Sequence, residues 1–504
     1  MRPVASIVMP SSDRMQTPTL AAAAFLALSV LVPVQAAQRA DDEPRFHIRI
    51  QTSNAAALKA VLEGDGYDVL GVDAGASTVD LAASQSEWNA LAAAGHQVTL
   101  VARARPLLEA FPSGSDARLV PTTYRDLAGV LARMQEIAAA YPTIARVVDV
   151  TVVYNAPPTF EGRRMFALKI SDNVAVDEDE PAMLIVSTHH AREIVTPVIT
   201  LGAAERLTAG YQTDARITSA VDGHEIWIAP VWNPDGYNYV FTTDNLWRKN
   251  RRVFASGVGV DQNRNYSQGW GASCAGSTSV SSETYKGPSP ASEAETQTMM
   301  IWSQRERFAK VIDYHSSGRE VLYAYRCLSH PFTAWWQQQA TVLSQVSGYG
   351  GAVRVPSAEG EHQEWQFSQM GAYAFLIETH TEFQPSYDSA VSEATLVWPG
   401  ILSVLERPIS ISGHVTDAVT GSPLAAKIEL LNLAFSQGES NASGGPHGRY
   451  HVFLPAGTYD VRFSLSGYAP QVRQVTVTAT SAQNIDVQLS TLVPTPPSGL
   501  RIVR

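Results

Sequence analysis

From about Thr122 to Glu406 the chain alternates short apolar runs with helix-patterned stretches, and that alternation leaves few folds open. The runs are "RVVDVTVV", "MFALKI", "AMLIVST", "EIWIAPV", "AKVIDYH" and "AFLIETH". Each has strand length and is rich in β-branched or aromatic residues. Between them, "YRDLAGVLARMQEIAAAY" and "ASEAETQTMMIWSQ" carry apolar residues at helical spacing. Such alternation predicts an α/β fold in which helices cover a central sheet.

The flanks differ from this middle. With 504 residues the chain has room for two or three domains. Residues 44–107 alternate strand and helix patterns on a smaller scale, "RFHIRIQT", "AAALKAVLEG", "YDVLGVD", "STVDLAAS", "SEWNALAAAG" and "HQVTLVA". They predict a small α+β unit, a prosegment or accessory domain without a catalytic cluster. "RPLLEAFPSGSDAR" reads as a linker, with Pro112, Gly114 and Ser115 as breakers. Residues 409–490 predict a small β-sandwich: in "TYDVRFSLSGY" Tyr459, Val461, Phe463 and Leu465 alternate with polar or small residues. The proline-rich end, "LVPTPPSGL", predicts a loose tail.

Residues 1–37 carry Arg2 and Arg14, an apolar run from Leu20 to Val34, and small residues at Ala36 and Ala37. That pattern predicts a cleaved secretory signal, with Met15 as an alternative start, and a secreted or periplasmic protein. The run is shorter than the roughly 20 residues a spanning helix needs, so no membrane span is expected after cleavage. Export makes a bridge between Cys274 and Cys327 possible, though spacing alone does not establish one. A formal net charge of -11 argues against nucleic acid as the main partner.

Chemistry-bearing residues sit at the ends of the predicted strands. "AMLIVST" runs into "HHAREIVTP", which presents His190 and Glu193. Thr196 is placed to cap a following helix, with Pro197 at its first position. "VIDYHSSG" brings His315 to another strand end. Strand ends on one edge of an α/β sheet converge. Two imidazoles and a carboxylate make the three protein ligands that a hydrolytic zinc takes, with one position left open. His189 is a competing ligand, and a satisfied core histidine is the ordinary alternative for His315.

The middle unit resembles the zinc carboxypeptidases of the carboxypeptidase A type. The resemblance rests on "HHAREIVTP", "PVWNPDGYNYVFTTDNLWRKNRR", "GVDQNRNYSQGWG", "YKGPSPASEAET", "VIDYHS" and "FLIETH", in order along the chain. It implies a mixed central sheet and one zinc ion held by His190, Glu193 and His315. It implies that Glu378, in "FLIETH", is the catalytic carboxylate and that Arg248, in "LWRKN", stabilises the developing oxyanion. Asn263 and Arg264 would bind a terminal carboxylate, and Arg192 the peptide further along. The partners so implied are peptide or protein C-termini. The unit at 409–490 is similar to the transthyretin-like domain that follows the catalytic domain in some carboxypeptidases.

The chain also departs from that pattern. Trp365 lies thirteen residues before Glu378, as the family has it, but Pro356 stands where a tyrosine is expected, and Tyr349 is the nearest upstream substitute. In a gap-free register the base of the side-chain pocket would be Arg326 and its wall Gln363, beside His362; a buried Arg326 would favour C-terminal Glu or Asp. Two other functions share these residues: a zinc peptidase acting on peptidoglycan stem peptides, and a binding protein on an inactive scaffold. The complete set of His190, Glu193, His315 and Glu378 speaks against the last.

Overall fold

The structure is a computed structural model and describes residues 44–73, 75–110, 124–439, 441–478 and 482–492. The predicted signal (1–37), the proline-rich end and most of the linker lie outside those residues. Among the described residues no helix is long and apolar enough to cross a membrane.

The first unit comprises β1 (Phe46–Gln51), α1 (Ala55–Gly64), β2 (Asp68–Asp73), β3 (Thr78–Ala83), α2 (Gln85–Ala93) and β4 (Val98–Arg103). Its antiparallel sheet has the order β2-β3-β1-β4. The alternation read in "RFHIRIQT" buries Phe46, Ile48 and Ile50 on one face, where Leu62 and Leu91 of the helices meet them. Ser84 and Glu87 start α2 by bonding each other's backbone N–H groups.

The second unit follows as α3 (Leu107–Ala110), α4 (Leu127–Ala140), β5 (Ala145–Asp149), α5 (Val150–Val153), β6 (Phe166–Ile170), β7 (Ala182–Ser187), α6 (Val195–Gly210), α7 (Ala215–Asp222) and β8 (Glu225–Ala229). It continues with α8 (Pro234–Thr242), β9 (Val253–Phe254), β10 (Gly257–Val258), α9 (Ala294–Glu306), β11 (Lys310–Ser316), β12 (Glu320–Leu322) and α10 (Thr333–Val346). β13 (Val353–Arg354), α11 (His362–Gln369), β14 (Tyr373–Thr379) and α12 (Tyr387–Leu405) complete it. An 8-stranded sheet runs β13-β12-β14-β11-β7-β8-β6-β5. β14, β11, β7 and β8 are parallel, whereas β12, β6 and β5 join antiparallel, so the sheet is mixed. Every residue of β7 and of β11 is buried, because helices cover both faces.

Two local expectations fail. "RVVDVTVV" is not one strand: Asp149 accepts the N–H of Val152 and turns the chain into the short helix α5. Nor does Thr196 cap α6. The helix already begins at Val195, Ile194 provides no side-chain cap, and Thr196 Oγ1 donates to the carbonyl of Glu193 at 2.8 Å. α3 also occupies part of the predicted linker.

The third unit is a sandwich built from β15 (Ile411–Asp417), β16 (Lys427–Leu430), β17 (Asn441–Ala442), β18 (Arg449–Val452), β19 (Gly457–Ser464), β20 (Gln471–Val477), β21 (Gln483–Asn484) and β22 (Val487–Leu489). One sheet is β18-β15-β21 with β22 also on β15, the other β17-β16-β19-β20. Ile411, Val415, Tyr450, Val461 and Phe463 fill the space between them. The sandwich docks on the second unit, where Asp179 accepts from Arg449 at 2.7 Å and lies 3.0 Å from His414.

Candidate metal centre

β7, β11 and β14 are neighbours and parallel, so their C-terminal ends open on the same edge of the sheet. The turn after β7 carries His190 and Glu193, β11 carries His315, and Glu378 on β14 is level with His315 in the parallel register. His190 Nδ1 lies 2.7 Å from Glu193 Oε1 and 3.1 Å from His315 Nδ1, and His315 Nδ1 lies 3.1 Å from Glu193 Oε2. All three side chains are buried. The outward ring nitrogens face carboxylates: His190 Nε2 is 3.1 Å from Asp261 Oδ1 and His315 Nε2 is 3.3 Å from Asp313 Oδ1. With the ring protons assigned to those carboxylates, both Nδ1 lone pairs converge with Glu193 on one point. This two-nitrogen, one-carboxylate donor set fits a hydrolytic zinc.

Burial alone would raise the Glu193 carboxyl, but positive charge facing it from the His190 and His315 side outweighs burial and holds it well below its ordinary value, as a bound cation would. Glu378 goes the other way: burial, reinforced by Glu193, pushes it up to about 7, with His315 and Arg354 opposing.

His189, the competing ligand, is turned away. Its Nδ1 lies 3.1 Å from Asp313 Oδ1 and its Nε2 lies 3.1 Å from the Tyr266 hydroxyl. Burial pushes it down to about 4, so it is neutral. Asp313 also accepts from His362 Nδ1 at 2.9 Å, while His362 Nε2 faces Gln366 Nε2 at 2.9 Å. The His189, Asp313 and His362 group is thus a saturated network bracing His315. Asp261 and Asp313 were not singled out as functional, although both stand in quoted segments. Asp313 is two residues from His315 on one strand, hence on the same face.

The basic residues distribute unevenly. Arg248 Nη2 donates to Asp261 Oδ2 at 2.8 Å, so one carboxylate braces both His190 and Arg248. Asn263 Oδ1 accepts the N–H of His362 at 2.7 Å, and its Nδ2 lies 3.4 Å from His315 Nε2. Arg264 Nη1 donates to the Asn263 carbonyl at 2.6 Å and pairs with Glu361 at 3.0 Å, and Gln363 Nε2 donates to Glu361 Oε2 at 2.6 Å. Gly360, at φ 94°, presses this segment against Arg264: a Cβ there would lie 2.8 Å from the Arg264 carbonyl oxygen. Asn263, Arg264 and Gln363 therefore gather. Arg192 is instead gripped by Asp68 of the first unit.

Two expectations are corrected. Arg326 is not at a buried pocket base; it is exposed on the loop after β12, so a gap-free register misplaces it. Tyr349 does not stand in for the tyrosine missing at Pro356, because its hydroxyl donates to Glu393 Oε1 at 2.7 Å in the core. Cys274 and Cys327 form a disulfide.

The family model described as zinc carboxypeptidase matches residues 130–393, and that of a carboxypeptidase regulatory-like domain matches residues 410–490. A zinc carboxypeptidase of Saccharothrix mutabilis subsp. capreolus is 35% identical over 223 residues, 41% of this chain and 48% of the relative. Carboxypeptidase A1 of Rattus norvegicus is 28% identical over 305 residues, 57% of this chain and 70% of the relative. The chain thus spans about half the length of the first of these relatives. Carboxypeptidase A from Helicoverpa armigera superposes with a TM-score of 0.58 at 23% identity, covering 72% of this chain and 97% of that one, and shows the shared fold.

Proposed function

Since the chain belongs to the zinc carboxypeptidase family, we propose that it is an exported metallocarboxypeptidase that removes residues from the free C-terminal end of peptides and proteins. The observation that carries the proposal is the convergence of His190, Glu193 and His315 beside Glu378. These three residues are the zinc ligands. A zinc ion there supplies Lewis acidity, acidifying a water and polarising the scissile carbonyl.

Glu378 takes the proton of the attacking water on its carboxylate and hands it to the departing amine nitrogen. A carboxyl near neutrality suits both halves of that exchange. Arg248, fixed by Asp261, presents a guanidinium to the carbonyl oxygen as negative charge develops there. Asn263 and Arg264 receive the terminal carboxylate, for which a planar fork is suited. They restrict the enzyme to chain ends, and Gln363 makes a polar wall near them.

The first unit acts as a prosegment. While docked, its Asp68 occupies Arg192, which then cannot hold the upstream peptide. The unit at 409–490 is a transthyretin-like support packed on the catalytic unit, and residues 1–37 direct export.

Zinc analysis joined to residue release from a peptide panel tests this. Free-acid peptides should lose C-terminal residues one at a time, and their amidated counterparts should resist. A zinc-loaded protein that leaves free-acid peptides intact, or cuts both kinds equally, would refute the proposal.

A further inference from the structure

Glu320 on β12 stands directly opposite Glu378 on β14 in an antiparallel pair. Two carboxylates so placed share a face and repel unless a cation intervenes. Arg354 intervenes. It lies on β13, level with Leu322 of β12. Its Nε donates to Glu320 Oε1 at 2.7 Å, and its Nη1 donates to Ser357 Oγ at 3.0 Å and to the Val355 carbonyl at 3.2 Å. Nη2 is left over. Its nearest anion is Glu378 Oε1 at 3.7 Å, beyond hydrogen-bond length, and it has no acceptor in range among the described residues.

This guanidinium is therefore oriented through Nε and Nη1 and unspent only at Nη2. The side chain keeps 28% exposure, against 16% for Glu378. From Arg354 the chain runs through Pro356 to Glu361, the partner of Arg264, and Gly360 packs on the Arg264 backbone. The free Nη2 of Arg354 thus belongs to a segment that ends against Arg264.

We propose that Arg354 is a substrate-contacting residue whose Nη2 receives a carboxylate of the peptide beside Glu378. The proposal rests on the reading of Glu378 as the proton carrier. A carboxylate can come from the chain terminus or from an acidic C-terminal side chain, and either can accept a charge-assisted hydrogen bond from Nη2. Because Nε and Nη1 are already satisfied, little ordering entropy is lost on binding. Lysine could not hold Glu320 and Ser357 and also reach a substrate, since it offers a point charge rather than a fork.

The test is steady-state kinetics of Arg354→Gln in the zinc-loaded form in which the parent is active, on matched peptides ending in Leu and in Glu. Zinc content and thermal midpoint serve as controls of folding. KM raised about tenfold for both peptides, with kcat within twofold, assigns the terminal carboxylate. KM raised only for the Glu peptide assigns the side chain. KM unchanged for both, or a fall in kcat alone, overturns the proposal. If Arg354→Gln does not fold, Arg354→Lys decides: KM should rise at least threefold, and a parental KM overturns it. A parent that cuts neither peptide sinks the reading of Glu378 and this proposal with it. A parent that cuts both while the variant keeps its KM sinks this proposal alone.

Discussion

Asp68 of β2 and Arg192 behind β7 meet carboxylate to guanidinium, each Nη of Arg192 on a different oxygen of Asp68, with Nη2–Oδ1 at 2.5 Å. Both residues are buried, and the Phe383 ring lies 4.6 Å from the guanidinium carbon. Beside them, Ser317 Oγ donates to the Leu70 carbonyl at 3.1 Å. Removing one partner of a buried pair strands the other charge, at about 3–5 kcal/mol. Asp68→Asn should therefore loosen the first unit. The uncut variant should gain at least about tenfold in peptide release over the uncut parent, toward the rate of chain freed of the first unit. Equal activities of uncut parent and uncut variant would refute a covering role.

Acid should release the same contact. Burial pushes the Asp68 carboxyl up, but Arg192 outweighs it and the net value lies below the ordinary one. A depressed native value means that docking is fully supported above the unfolded value near 3.9 and is lost as pH falls below it. Protection factors across β1 to β4, exchange rates taken relative to the unfolded chain at the same pH, should be constant from about pH 8 to pH 5 and fall only below roughly pH 4. In Asp68→Asn that acid step should be absent. A step near neutrality would assign the release to another group.

Glu378→Gln keeps size and position but cannot carry a proton. The expected result is a fall in kcat of about a thousandfold or more with zinc content unchanged. In the parent, the acid limb of kcat/KM should disclose Glu378. Activity falls as pH drops through its value, which lies at or below the metal-free value of about 7 because a nearby cation favours the ionised form. A Glu378→Gln variant retaining parental activity would exclude Glu378 from proton transfer.

The strand pattern was legible because β7, β11 and β14 are buried on both faces and read as continuous apolar runs. The stretch from 146 to 153 misled for a local reason: β-branched residues favour strands, but Asp149 offers its carboxylate to the chain three residues on. His190, Glu193 and His315 were legible as strand-end residues of the right type. Asp261 and Asp313 were visible yet unassigned, since only the fold shows which ring nitrogen each faces. Arg326 and Tyr349 were misplaced because a gap-free count does not follow loops. Asp68–Arg192 and Glu320–Arg354–Glu378 were not legible, because they depend on how separate strands and units dock.

The carboxylates behind the imidazoles should govern metal affinity. Asp313→Asn leaves His315 without its charged acceptor, and Asp261→Asn does the same for His190. Each should weaken zinc binding about 10- to 100-fold, read by competition with a chelator. The two variants should differ in one respect. Asp261 also fixes Arg248, so its variant should lose kcat even when zinc is saturating, whereas zinc-saturated Asp313→Asn should recover more fully. Parental zinc affinity in both would show that neither carboxylate orients a ligand.

The disulfide should act on stability and on substrate binding together. It closes a separation of 53 residues, for which the loop-entropy relation gives roughly 4 kcal/mol. Its two ends also converge on Glu359: Glu359 Oε1 accepts the N–H groups of Cys327 at 2.8 Å and Leu328 at 3.2 Å, and the Glu359 N–H donates to the Cys274 carbonyl at 3.3 Å. Glu359 is two residues from Glu361, which orders Arg264 and Gln363. Replacing both cysteines by serine should lower the unfolding free energy read from urea titration by an amount near that figure, and the midpoint with it. It should also raise KM several-fold while kcat stays close to the parent, because Glu378 and the histidines are held by the sheet rather than by this loop. Reductant should change the parent in the same direction and leave the variant unaffected. A variant with parental midpoint and parental KM would show that the 355–361 segment holds its shape without the bridge.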